Sequence, residues 1–148
     1  HGPGRLSVDH WLQARWRREL GVAITIEPYE QKTWLQNQQT LSHTLGIMGW
    51  TADFADPITF LNLFTTNGGN NWTGWGSPAY DQLIARANQT ADAATRFALL
   101  QEAESLLLRE APIVPVLHGA RTYLIHPSVH HWEPSPVGIH RYQLVDLK

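Results

Sequence analysis

Apolar positions along this chain recur with two different periods, and the switching between them predicts helices separated by short strands. Val8, Trp11, Leu12, Arg15 and Trp16 are spaced so that most of the apolar ones share a helical face. Ser7 is placed to cap that helix and Gly21 to end it after Leu20. Val22, Ile24 and Ile26 then alternate with Ala23 and Thr25 until Pro28, which reads as a strand. Gln31 to about Thr40 contains neither Gly nor Pro and carries a narrow stripe of Trp34, Leu35 and Leu41, which reads as a short helix. Later, Tyr80, Leu83, Ile84 and Ala87 follow a Ser77-Pro78 start and predict a helix to about Asn88. Asp92 caps the longest predicted helix, to Ala111, whose wide apolar face holds Phe97, Leu99, Leu100, Ala103, Leu106 and Leu107 before Pro112 stops it. Ile113 to Ile125, broken at Gly119, predicts one or two strands. Pro127, Pro134 and Pro136 mark a loop, and Arg141 to Leu147 a last strand. The order α-β-α-β-α-α-α-β-β argues for an α/β sheet with parallel pairs flanked by helices.

The run from Leu45 to Asn62, LGIMGWTADFADPITFLN, organises this pattern. Leu45 to Ala52 is short and uniformly apolar, as expected of a strand buried on both faces. Asp56-Pro57 restarts the chain as a helix to about Phe64, with Asp able to accept backbone N–H groups and Pro losing no bond at the first helical position. Trp50 and Asp53 therefore fall where a strand runs out into a loop, the usual ligand crevice of an open α/β sheet. A carboxylate beside an indole suits a cationic group with apolar substituents, such as the terminal amine of a peptide.

Composition narrows the function classes. With 148 residues, 43% of them hydrophobic, one core and one domain are expected. A formal net charge of -2 with eight histidines taken as neutral offers no basic field, so nucleic acid is not an expected partner. No apolar run approaches the roughly 20 residues of a membrane span, and the start lacks the charged and apolar regions of a signal segment, so a soluble chain is expected. His1 to Leu6 is expected to be an expression remnant or linker. The absence of cysteine excludes disulfides and thiolate chemistry and fits either redox compartment.

GWTADFADPITFLN together with NNWTGWGSPAYDQLI, from Asn70 to Ile84, resembles the C-terminal lobe of the family 5 extracellular solute-binding proteins, the oligopeptide, dipeptide and nickel receptors of bacterial ABC importers. The resemblance runs from Ser7 to Lys148. It implies one partial lobe of a type II periplasmic-binding-protein fold, with the N-terminal lobe of the same protein missing. It implies a non-enzymatic role: two lobes closing on an extended oligopeptide or dipeptide, partnered by ABC permease subunits. A periplasmic or surface-anchored location follows, and no cofactor. Exposed sheet edges would favour self-association of the fragment.

Within that resemblance Trp50 stacks on the ligand and Asp53, from the GWxxDxxDP pattern, binds its free amino terminus. Read from the residues alone, Trp50 is equally a core tryptophan and Asp53 a turn former. Asp56 is assigned to helix capping. Gln31 and Gln38 bracket a helix that the resemblance puts near the ligand, at places where several family members carry tryptophan and arginine. Ile47 stands where the family's oligopeptide receptor has an arginine, so candidate partners for a ligand carboxylate are missing. Asn70, Asn71, Trp72 and Trp75 either reach the ligand from a loop or cover the lobe. His126, His130 and His131 form the one metal-like cluster, suited to nickel or zinc, against incidental histidines in a proline-rich loop. A nickel or metal-complex receptor and a stand-alone interaction domain are the alternatives. Asp53 and Asp56 sit too close in sequence to establish a glycosidase pair, and no GxSxG nucleophile motif is present.

Overall fold

The computed structural model describes residues 3–120, 122–135 and 137–148, with side chains described from Val8 onward. Pro136 of the expected loop lies outside the described residues. Contacts divide the chain into two compact units that meet in sequence between Gln39 and Thr40.

The first unit holds α1 (Pro3–Leu20) and α2 (Gln31–Gln39). The first helix starts at Pro3, not at Ser7, so much of the expected remnant is helical. Proline is well suited to a first helical position, whose N–H has no partner in any case. Gly21, at φ +67°, ends the helix as expected. The Val22 N–H returns to the Trp16 carbonyl at 3.2 Å, and the Gln13 amide donates to the Ile24 carbonyl at 2.9 Å. Residues 22–26 form no ladder, so the expected strand is corrected to irregular chain. The start of α2 is held by Glu30, whose carboxylate accepts the N–H groups of Lys32 at 3.0 Å and Thr33 at 3.4 Å.

The second unit is built on α4 (Pro78–Gln89) and α5 (Ala93–Glu110), which pack along each other. Both caps foreseen in the sequence form. Ser77 accepts from the Tyr80 N–H at 3.4 Å, and Asp92 accepts from the Thr95 N–H at 2.8 Å. Ala111 closes α5 in the left-handed conformation. Between the helices lie Tyr80, Leu83, Ile84, Ala87, Leu99, Leu100, Ala103, Leu106 and Leu107, all buried. Phe97 is the exception in the expected face, at 48% exposed. The short α3 (Ile58–Leu61) tightens into a 3₁₀ turn, Asn62–Phe64, and packs on α5. Its Leu61 joins the core and its carbonyl accepts the buried Tyr80 hydroxyl at 2.6 Å.

The sheet content departs from the pattern reading. Among the described residues the one sheet is β1 (Val129–His130) paired antiparallel with β2 (Asp146–Leu147). Residues 45–52 and 113–125 carry no ladder in their described parts, and Leu45, Val114, Leu117 and Leu124 are exposed instead of buried. Alternation and apolarity mark a segment able to pair, but a strand exists only where a second one supplies its hydrogen bonds. The last expected strand keeps only Asp146–Leu147, after a 3₁₀ turn at Tyr142–Leu144. Near it, Trp132 stacks on His140 with ring centres 4.9 Å apart, and Tyr123 leans on Trp132 at 4.6 Å.

If the α4–α5 interior carries this unit's stability, Leu107→Ala lowers it by about 2–5 kcal/mol, whereas Phe97→Ala changes it by less than about 0.5 kcal/mol. Urea unfolding followed by circular dichroism compares them, and equal losses would contradict this account of the core.

Candidate ligand-binding site

The chain between Trp50 and Asn70 closes around a pocket of about 250 Å³. Trp50, Asp53 and Phe54 line it from the irregular segment, Thr59 and Asn62 from the helical turn, and Gly68, Gly69 and Asn70 from the loop beyond. A complete small-molecule site occupies roughly 300–1,000 Å³, so this volume suits one end of a ligand. Gly68 is required by close approach, since a β-carbon there would stand 2.9 Å from the Thr65 hydroxyl.

The two aspartates of the segment have opposite surroundings. Asp56 is gripped by the Arg96 guanidinium from α5, with Nη1 donating to Oδ2 at 2.8 Å and Nη2 to Oδ1 at 2.9 Å. The Ile58 N–H adds a third bond to Oδ1 at 2.9 Å, which is the capping role expected of this residue. Arg96 foremost, and then the Ile58 N–H, hold the Asp56 carboxyl below its ordinary range against a weaker opposing effect of burial. Asp53 is exposed, and among the described residues no cation pairs with it. Among the described residues its side chain bonds to Thr59, whose hydroxyl donates to Oδ2 at 3.2 Å while accepting the Asp53 N–H at 3.1 Å.

Trp50 and Asp53 line one pocket, although no strand leads into it as expected. Trp50 is 36% exposed, so its indole is available to a ligand. Asn70 lines the pocket but Asn71 does not. The Asn71 amide donates to the carbonyls of Phe64, Thr65 and Trp75 at 2.9–3.3 Å, and its oxygen accepts from the Thr73 hydroxyl at 2.7 Å. That side chain is spent on shaping the loop. Trp75 packs edge-on against Tyr80, 5.1 Å between ring centres, and donates to Glu110 at 2.8 Å, so it covers the helical core. Gln31 and Gln38 belong to the first unit, Gln31 exposed at the start of α2 and Gln38 buried near its end.

Among the described residues no three histidine, aspartate or glutamate side chains converge as a metal site. His126 bonds locally to Ser128 at 3.0 Å, and His131 faces Asp146 at 3.9 Å. No described helix is long and apolar enough to cross a membrane.

Two contributors escaped the sequence reading. Arg96 lies 40 residues from Asp56 and carries no local mark of its role. Thr59 had a signal: it stands in the first turn of a helix announced by Asp-Pro, facing back toward the segment before the cap.

The chain has counterparts among known proteins. The chain is 36% identical over 146 residues to the dipeptide-binding protein DppE of Bacillus subtilis, a match covering 99% of the chain and 26% of that protein. It is 35% identical over 114 residues to the periplasmic oligopeptide-binding protein OppA of Salmonella typhimurium, covering 77% of the chain and 21% of the relative. The solved structure of OppA from Burkholderia pseudomallei superposes with a TM-score of 0.87 at 28% identity, covering 97% of this chain and 29% of that one. No family model matches the chain. The chain spans about a quarter of the length of the curated relatives it matches.

The fold is a partial α/β lobe of the type II periplasmic-binding-protein class. The chain belongs to the family 5 extracellular solute-binding proteins.

The Asp56–Arg96 pair generates a pH dependence of known sign. Asp56 ionises at lower pH folded than its ordinary 3.8, so the unfolded chain binds more protons in that window. The pair's contribution is complete above the ordinary value and is lost as pH falls through the lowered one. Acid unfolding of the Arg96→Met variant should begin at higher pH than that of the parent. In a double-mutant cycle, Asp56→Asn and Arg96→Met together should cost less than the sum of the single losses. Strict additivity would contradict the pairing.

Proposed function

We propose that this chain supplies one lobe of a substrate-binding receptor for oligopeptides or dipeptides, acting in import and not in catalysis. The observation that carries the reading is the Asp53 carboxylate, held at one oxygen, without a cation among the described residues, lining a pocket with Trp50. An ammonium group has three donors to offer such a carboxylate, and the indole provides a broad, rigid face for the adjoining main chain. The pocket then receives the amino-terminal end of the peptide. Asn70 stands at its edge as a polar contact, while Asn71 keeps the loop in shape. Gln31 offers an exposed amide on the first unit, and Gln38 acts through packing.

A second lobe of the same protein closes over the rest of the ligand, and the closed form is what the membrane subunits of an ABC importer read. The relatives named as periplasmic support an extracytoplasmic location. The exposed apolar stretches around Leu45 and Val114 to Leu124 take their ladder partners from other parts of the lobe.

Two experiments test this reading. In the protein that carries this segment, Asp53→Asn should weaken tetraalanine binding, measured by isothermal titration, on the order of 10- to 100-fold. Unchanged affinity would contradict the assignment. The chain by itself should bind tetraalanine weakly or not at all and should self-associate through its unpaired segments. Sedimentation as a strict monomer at high concentration would contradict the latter.

A further inference from the structure

Asp53 sits in an irregular stretch, where a solvent-exposed carboxylate has no helix or ladder to orient it. Its restraint comes from one buried hydroxyl. Thr59 is 6% exposed on α3, and the same oxygen that accepts the Asp53 N–H at 3.1 Å donates its only proton to Asp53 Oδ2 at 3.2 Å. Backbone and side chain of Asp53 are thereby fixed by a single group. The helix that presents this hydroxyl is itself anchored, through Asp56, to Arg96 of α5 and, through Leu61, to the Tyr80 hydroxyl. Oδ1 of Asp53 has no hydrogen-bond partner among the described residues, and Asp53 lines the pocket.

We infer that Thr59 is a positioning residue for ligand recognition: it presets the Asp53 carboxylate and so sets the preference for peptides with a free amino terminus. This inference rests on the peptide-receptor reading. Its physical content is pre-organisation. A carboxylate on an unrestrained stretch must be ordered when the ligand arrives, and a carboxylate already tethered at Oδ2 does not pay that cost. The tether occupies one oxygen only, so it orients the group without competing for the lone pairs of the other. A β-branched side chain in a helical turn has few rotamers, which makes Thr59 a stiff support.

The test uses the protein that carries this segment, titrated with tetraalanine and with N-acetyl-tetraalanine, which lacks the ammonium group. Thr59→Val keeps the shape and removes the hydroxyl. It should weaken tetraalanine roughly 3- to 10-fold and leave the acetylated peptide within about twofold. Thr59→Ser, which retains the hydroxyl, should stay within about twofold of the parent for both peptides. If Thr59→Val does not fold, as judged by its melting transition, Thr59→Ala against Thr59→Ser isolates the hydroxyl, with alanine selectively weaker for tetraalanine. Equal weakening of both peptides, no weakening, or failure of serine to restore affinity would overturn the positioning role. Asp53→Asn separates the two levels. Loss of discrimination with Asp53→Asn but not with Thr59→Val removes only the present inference, whereas an indifferent Asp53→Asn removes the receptor reading beneath it.

Discussion

The fork between Arg96 and Asp56 is the constraint on which the site depends. It joins α5 to the start of α3 across 40 residues of sequence, and it is bidentate, so it fixes direction as well as distance. By neutralising Asp56 it also decides which of the two neighbouring aspartates stays available. Were Arg96 paired with Asp53 instead, the pocket would hold a satisfied ion pair and have nothing to offer a cationic ligand. The division of labour between these acids, one structural and one open, is thus a matter of which carboxylate the guanidinium reaches.

That reach is set by the helical core. Tyr80 and Leu107 are fully enclosed between α4 and α5, and the Tyr80 hydroxyl, satisfied by the Leu61 carbonyl, ties α3 to the same interior. Burial pushes the Tyr80 phenol upward, keeping it a neutral donor across the physiological range. The loop beyond α3 is held in turn by the Asn71 amide and by the Thr66 N–H, which donates to Asp81 of α4 at 2.9 Å. The pocket walls are therefore positioned by hydrogen bonds that lead back to packed helices, while the pocket itself stays polar.

Much of this was legible in the sequence wherever the determinant is local. Ser77-Pro78 and Asp92 announced α4 and α5, Asp56-Pro57 announced α3, and Tyr80, Leu83, Ile84 and Ala87 marked the buried stripe. Trp50 and Asp53 were legible as neighbours because they share one short segment. What failed was non-local. The apolar runs 45–52 and 113–125 read as strands, yet pairing is a property of two segments, and among the described residues these find no partner. Phe97 fitted the helical period but stays exposed, outside the buried core cluster. Arg96 looked like any surface cation at the start of a helix. Asn71 drew attention as a polar loop residue, and its amide was needed by the loop itself.

The central claim is that Asp53 is the open carboxylate that receives a peptide's amino terminus. It is tested most directly by a crystal structure of the whole protein with tetraalanine bound. The account predicts the terminal ammonium nitrogen within hydrogen-bond distance of an Asp53 carboxylate oxygen, with Arg96 still on Asp56. Finding Asp53 paired with an arginine or lysine of the protein, and the peptide's amine elsewhere, would contradict it.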